Sequence, residues 1–177
     1  MDLFGRSGIL TKPMTCQEVS EQFLFPSMLF ADRAPHQVQT ILGSCVSVCL
    51  YDTQLKFGGI NHYMMPWWNG KDMASPKYGD IAIDLLLEKM ISLGSIKQNL
   101  VAKVFGGANQ HVFQNRFDVG ARNVSLAKDM LKTHSISITG ESVGGDRGRK
   151  IIYHTESGHV YMKFLGRIDS GTDDESH

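Results

Sequence analysis

Residues 40–62, TILGSCVSVCLYDTQLKFGGINH, decide the fold and raise the functional question together. VSVCLYD (46–52) alternates and is rich in β-branched residues, which crowd a helix and suit a pleated strand. Asp52-Thr53-Gln54 supplies a turn, and the chain returns as a second strand through His62, with Gly58-Gly59 marking its beginning. A turn this short joins antiparallel neighbours, so the far end of the second strand comes back beside the start of the first.

Further strands lie upstream. PSMLFAD (26–32) and QVQTILG (37–43) flank a turn around Ala34-Pro35. Only then does helical spacing begin. In DIAIDLLLEKMISLG, Ala82, Leu85, Leu86, Met90 and Leu93 recur on one face, with Asp80 placed as an N-cap and Gly94 where the chain leaves the helix. Asp80, Asp84 and Glu88 on this helix are expected to cap it or to line its solvated face. LVAKVFGG (100–107) is strand-like, VGARNVSLAKDMLKTHSI (119–136) is a second amphipathic helix, and SISITGE (135–141) a further strand. RKIIYHT and HVYMKFLG flank Glu156-Ser157-Gly158 as a closing hairpin. Seven to nine strands and two helices, with consecutive strands before the first helix, argue α+β and not a doubly wound parallel sheet. The expected organisation is an extension over 1–22, one domain over 23–167, and a disordered acidic tail over 168–177 that ends in DSGTDDESH.

Charge narrows the classes of function. Eighteen basic residues balance 18 acidic ones, so nothing electrostatic favours nucleic acid or an anionic membrane. The start, MDLFGRSGILTKPM, lacks an apolar core of signal-peptide length, and no run of 18 apolar residues occurs. The expectation is a cytoplasmic protein, not membrane-inserted, with its three cysteines reduced.

Cys45 is the residue to explain. On a strand, Cys45 and Cys49 stand about 13 Å apart, too far for a disulfide, which needs Cα atoms within about 7 Å. Nor can one zinc ion hold both sulfurs at about 2.3 Å, and Cys16 has no CxxC partner, so no metal is expected. Two readings stay open: an inert core thiol, which is how Cys49 in mid-strand is read, and a nucleophile. Gly43-Ser44 before Cys45 permits an unusual backbone and close approach of a ligand, and can present backbone N–H groups. The strand pairing carries His62 toward Cys45, where it reads either as a base or as an ordinary hydrogen-bonded strand histidine; the other histidines (36, 111, 134, 154, 159 and 177) have no such route. VGGDRGRK (143–150) lacks the Gly-Lys-Ser/Thr ending of a phosphate loop and reads as a turn before the last hairpin. Met64-Met65-Pro66-Trp67-Trp68 reads equally as an apolar loop covering the core or as a rim gripping a substrate helix.

TILGSCVSVCLYD, GGINHYMMP, KYGDIAIDLLLEKMISLG, KVFGGA, VGARNV and GGDRGRKI, in that order, resemble the CheD family of chemoreceptor glutamine deamidases over roughly residues 25–165. The resemblance implies packed β-sheets, β-sandwich-like, flanked by two main helices and similar to the catalytic domain of cytotoxic necrotizing factor toxins. It implies hydrolysis of receptor glutamine amides to glutamate, with methyl esters hydrolysed by some members, and no cofactor. It maps a catalytic cysteine, histidine and threonine onto Cys45, His62 and Thr40. Ser44 and Asn61, flanking the first two, are the candidate oxyanion and positioning groups. The expected mechanism has His62 raise the thiolate fraction of Cys45 through an ion pair and then protonate departing ammonia. The implied partners are the cytoplasmic helices of chemoreceptors and a CheC-type phosphatase. The alternative is a non-catalytic adaptor that binds the same partners.

Overall fold

A computed structural model describes residues 19–109 and 118–166; Cys16 and the acidic tail therefore lie outside the described residues. The strands are β1 (Ser20–Phe23), β2 (Met28–Asp32), β3 (His36–Leu42), β4 (Val46–Asp52), β5 (Phe57–His62), β6 (Leu100–Gly106), β7 (Ser137–Val143), β8 (Arg149–His154) and β9 (His159–Phe164). The helices are α1 (Gly79–Ser92) and α2 (Val119–Thr133). One sheet runs β1-β3-β8-β9 and the other β2-β5-β4-β6-β7. Both sheets are mixed: β1 is parallel to β3 and β6 to β7, while the other pairs are antiparallel. The class is α+β, as the order of strands and helices predicted.

Three layers explain the composition of β4. Val46, Val48 and Leu50 face the helices and pack with Ala82, Ile83, Leu86, Met90, Leu126 and Leu131. Cys49, between them, points the other way, into a second core with Ile60, Phe105, Val38, Leu42, Ile151 and Tyr153, which fills the space between the sheets. A strand covered on both faces reads as a nearly continuous apolar run, because neither side meets water. Each fully buried leucine or isoleucine here contributes about 1.5–3 kcal/mol.

Several local readings change. The N-cap of α1 is Tyr78, which makes no side-chain cap bond. Asp80 sits inside the first turn, where its carboxylate accepts from Trp68 N–H at 3.2 Å and Ile81 N–H at 2.9 Å. There it opposes the positive end of the helix dipole while anchoring the preceding loop. Asp84 is held as well, 3.0 Å from His134 Nε2 at the end of α2. Gly94 leaves α1 at φ +102°, as a C-terminal glycine should. β1 begins at Ser20, within the stretch whose sequence carries no pattern, because it is a short edge strand added parallel to β3.

Gly58 and Gly59 do not mark the start of a strand; both lie inside β5. Their role is close approach. A Cβ on Gly58 would stand 2.7 Å from Leu50 O and still nearer the Tyr153 hydroxyl, which donates to Leu50 O at 2.7 Å. A Cβ on Gly59 would stand 2.7 Å from Ala31 Cβ and 2.9 Å from Leu86 Cδ1. Gly58→Ala should therefore expel the Tyr153 hydroxyl from its buried bond. The expected loss is about 2–3 kcal/mol in denaturant unfolding, with unchanged dependence on denaturant concentration; an unchanged midpoint would contradict this packing.

Candidate active site

The register of β4 and β5 sets the site. Cys49 pairs with Ile60, and the same register reappears at the Val46–Tyr63 bridge, so Ser47 lies opposite His62. Side chains alternate, and Cys45, Ser47 and His62 therefore share the face that looks into the space between the sheets. Cys45 and His62 are diagonal neighbours across the pair, with Cα atoms about 7–8 Å apart. Cys45 is half-buried against the inter-sheet core, and His62 is buried.

Thr40 comes from the opposite sheet. It is fully buried on β3, and its Oγ1 lies 2.8 Å from His62 Nδ1. The same hydroxyl donates to Leu24 O at 2.8 Å. A threonine has one hydroxyl hydrogen, and Leu24 O can only accept, so toward the ring Thr40 must be the acceptor. Nδ1 therefore carries the proton and Nε2 the lone pair. Nε2 is buried and has no hydrogen-bond partner among the described residues. Leu24 is itself fixed by its N–H on Gln39 O, and His62 O by Ser27 N–H, each at 2.8 Å.

The loop before Cys45 is held by its carbonyl groups. Gly43 O accepts from Ala108 N, and Cys45 O from Gly107 N, each at 2.8 Å. Ser44 O accepts from Asn123 Nδ2 at 3.0 Å. In a trans peptide the N–H points opposite to its C=O. Anchoring Gly43 O and Ser44 O thus turns the N–H groups of Ser44 and Cys45 away from the groups that hold those carbonyls. Cys45 N–H has no backbone acceptor among the described residues and leans on its own sulfur. Gly106 makes the approach possible: at φ +110°, a Cβ there would run into Cys45 O.

Electrostatics favour a neutral pair. Burial raises the Cys45 thiol above its ordinary value, offset in part by the hydrogen bond from its own backbone N–H. Burial also lowers the His62 imidazole to about 4, against a smaller upward push from Leu24 O. Burial thus disfavours the ion pair expected from the sequence, and among the described residues no neighbouring charge offsets either shift.

The two flanking candidates part company. Ser44 is exposed and belongs to the anchored loop. Asn61 lies on the opposite face of β5 from His62, fully buried, with its Oδ1 accepting from Val48 N at 2.9 Å. Alternation keeps it out of the inter-sheet space. The residue missed is Asn123, whose Nδ2 also donates to Met64 O at 3.0 Å. Its signal was available: a polar residue in register with Gly120, Leu126, Ala127 and Leu131 on the buried stripe of α2. VGGDRGRK forms the turn before β8, with Gly144 N donating to Gly106 O and Asn109 N to Gly145 O. Met64, Met65, Trp67 and Trp68 are all exposed beside the end of β5.

A half-buried thiol and a buried imidazole on one face of two paired strands, beside the backbone N–H groups of an anchored loop, are the kinds of group a cysteine-hydrolase centre uses. A family model described as CheD chemotactic sensory transduction matches residues 64–164. A protein of Sulfurimonas denitrificans named probable chemoreceptor glutamine deamidase CheD is 42% identical over 154 residues, covering 86% of this chain and 99% of that one. Proteins of the same name from Trichlorobacter lovleyi and Methanococcus vannielii are 43% and 38% identical, over 81% and 74% of this chain and 90% and 86% of their own. The chain belongs to the CheD family. Among the described residues no helix is long and apolar enough to cross a membrane.

The buried imidazole should be visible in stability. Its value of about 4 in the fold lies below the ordinary 6.5, so the unfolded chain takes up the proton first. The contribution is fully present above about pH 6.5 and is lost as pH falls through about 4, by about 3 kcal/mol. Urea unfolding of the native protein and of His62→Gln across that range should differ by this slope; parallel curves would contradict a neutral buried ring.

Proposed function

We propose that this chain hydrolyses glutamine side-chain amides of chemoreceptors to glutamate and ammonia, through a thioester on Cys45. The observation that carries the reading is the Thr40–His62 bond, which leaves Nε2 as a free base on the face shared with Cys45. The family membership and the names of the relatives support the substrate class. An adaptor would need neither a fixed tautomer nor an anchored cysteine loop.

In this mechanism His62 Nε2 takes the thiol proton as Sγ attacks the carboxamide carbon. The developing oxyanion accepts from the N–H groups of Ser44 and Cys45. The imidazolium is unfavourable in its buried pocket, so it readily gives the proton to the leaving nitrogen, and ammonia departs. Water then gives a proton to Nε2 and attacks the thioester; the C–S bond breaks and that proton returns to sulfur. Thr40 keeps the ring aligned through both halves and takes no proton. The exposed rim of Met64, Met65, Trp67 and Trp68 borders the site and suits one apolar stripe of a receptor helix.

The test is intact-mass analysis of a receptor cytoplasmic fragment, which gains one exchange of NH2 for OH, and one negative charge, per site. The native protein should produce the gain and Cys45→Ala none. Thr40→Val should fold and lose roughly 100-fold in rate, as expected for a misaligned base, while Thr40→Ser retains most activity. Binding of the fragment without any mass gain would favour the adaptor.

A further inference from the structure

Asn123 is fully buried on α2, and the two hydrogens of its one amide reach two carbonyls, Ser44 O and Met64 O, each at 3.0 Å. One carbonyl lies just before Cys45 and the other two residues after His62. The Tyr63 hydroxyl donates to Asn123 O at 2.7 Å, fixing the helix backbone at the same level. α2 comes this close because of two glycines. A Cβ on Gly120 would stand 2.6 Å from Gly107 O, and one on Gly107 would crowd Val124 and Gly120 O, the latter at 2.9 Å. A short side chain can then span from helix to strand ends.

Among the described residues, Ser44 O is held by a side chain, while Gly43 O and Cys45 O are held by backbone N–H groups. Ser44 O is also the one whose peptide carries the Cys45 N–H. We infer that Asn123 is a positioning residue: by holding the Ser44 carbonyl it aims the Cys45 N–H at the oxygen of the substrate carbonyl as that oxygen becomes negative. Its second bond, to Met64 O, ties the same anchor to the strand that bears His62, so one amide sets the donor relative to the base. Asn123 touches neither substrate nor thiol. This rests on the thioester mechanism proposed above.

Two reactions of the same thiol separate this role from simple packing. Deamidation passes through an oxyanion. Alkylation by iodoacetamide does not: Sγ displaces iodide, the C–S bond forms as the C–I bond breaks, and His62 takes the proton. Asn123→Ala and Asn123→Ser should therefore lower kcat for deamidation roughly 10- to 100-fold with KM nearly unchanged. Alkylation at Cys45, located by peptide mapping, should keep its rate. Parallel loss of both rates, or an unchanged kcat, would overturn the assignment. Native protein and Cys45→Ala run alongside: a native protein that binds receptor without deamidating it would overturn the proposed function, and this inference with it.

A measurement on the native chain holds even if neither variant folds. A peptide aldehyde carrying its C=O at the place of the glutamine amide adds the Cys45 thiol across that bond, sulfur to carbon and proton to oxygen. In the 15N-labelled protein the Cys45 amide proton should then move downfield, as an amide does when it gains a strong acceptor. An unmoved Cys45 amide, with the adduct confirmed by mass, would overturn the inference.

Discussion

A single hydroxyl hydrogen determines what this site can do. Thr40 gives it to Leu24 O, so the same oxygen can only accept from His62 Nδ1, and the base is left on Nε2. The partners come from both sheets: Thr40 from β3 and His62 from β5, with Leu24 on the connection between β1 and β2. Packing the two sheets is therefore the step that fixes the tautomer of His62. The core around Ile60, Val38, Leu42 and Tyr153 brings Thr40 Oγ1 within hydrogen-bonding distance of the ring. The close packing at Gly58 and Gly59 serves the same end, since a bulkier β5 could not lie between Tyr153 and Leu86.

Burial has two effects here that pull against each other. It fixes the groups in place, and it withholds charge from both the thiol and the imidazole. A neutral pair is a weaker nucleophile at rest than an ion pair. In the mechanism proposed above, its compensation is that the imidazolium formed during attack is a strong acid at the moment ammonia needs a proton. In the same proposal the anchored loop supplies the fixed dipoles that a dry site requires, because backbone N–H groups held in place need no reorganisation when charge develops. Helix α2 thus does more than cover the sheet: through Asn123 and the Gly107–Gly120 contact it holds the strand ends where the chemistry is set.

What was legible in the sequence follows sequence distance. β4, its turn and β5 are local, and their antiparallel return alone brought His62 toward Cys45, while their shared face follows from the register of the pair. The helices were legible from their apolar stripes and the α+β class from element order. The anchor from Asn123 spans 79 residues to Ser44, and only a polar residue on an apolar stripe announced it. The tautomer of His62 depends on Leu24 O, a backbone atom to which no side chain gives a clue. Asp80 looked like a cap because its type suits one, but its carboxylate serves the Trp68 backbone from inside the first turn. Asn61 looked like a site residue by adjacency, and strand alternation turns it to the other face.

The central claim is a neutral His62 with its proton on Nδ1, and nitrogen NMR of the labelled ring reads that state directly. At pH 7 the account predicts one pyrrole-like nitrogen assigned to Nδ1 and one pyridine-like nitrogen assigned to Nε2, with Thr40→Val loosening this distinction. Two equivalent, imidazolium-like nitrogens at that pH, or the reverse tautomer in the native protein, would contradict it.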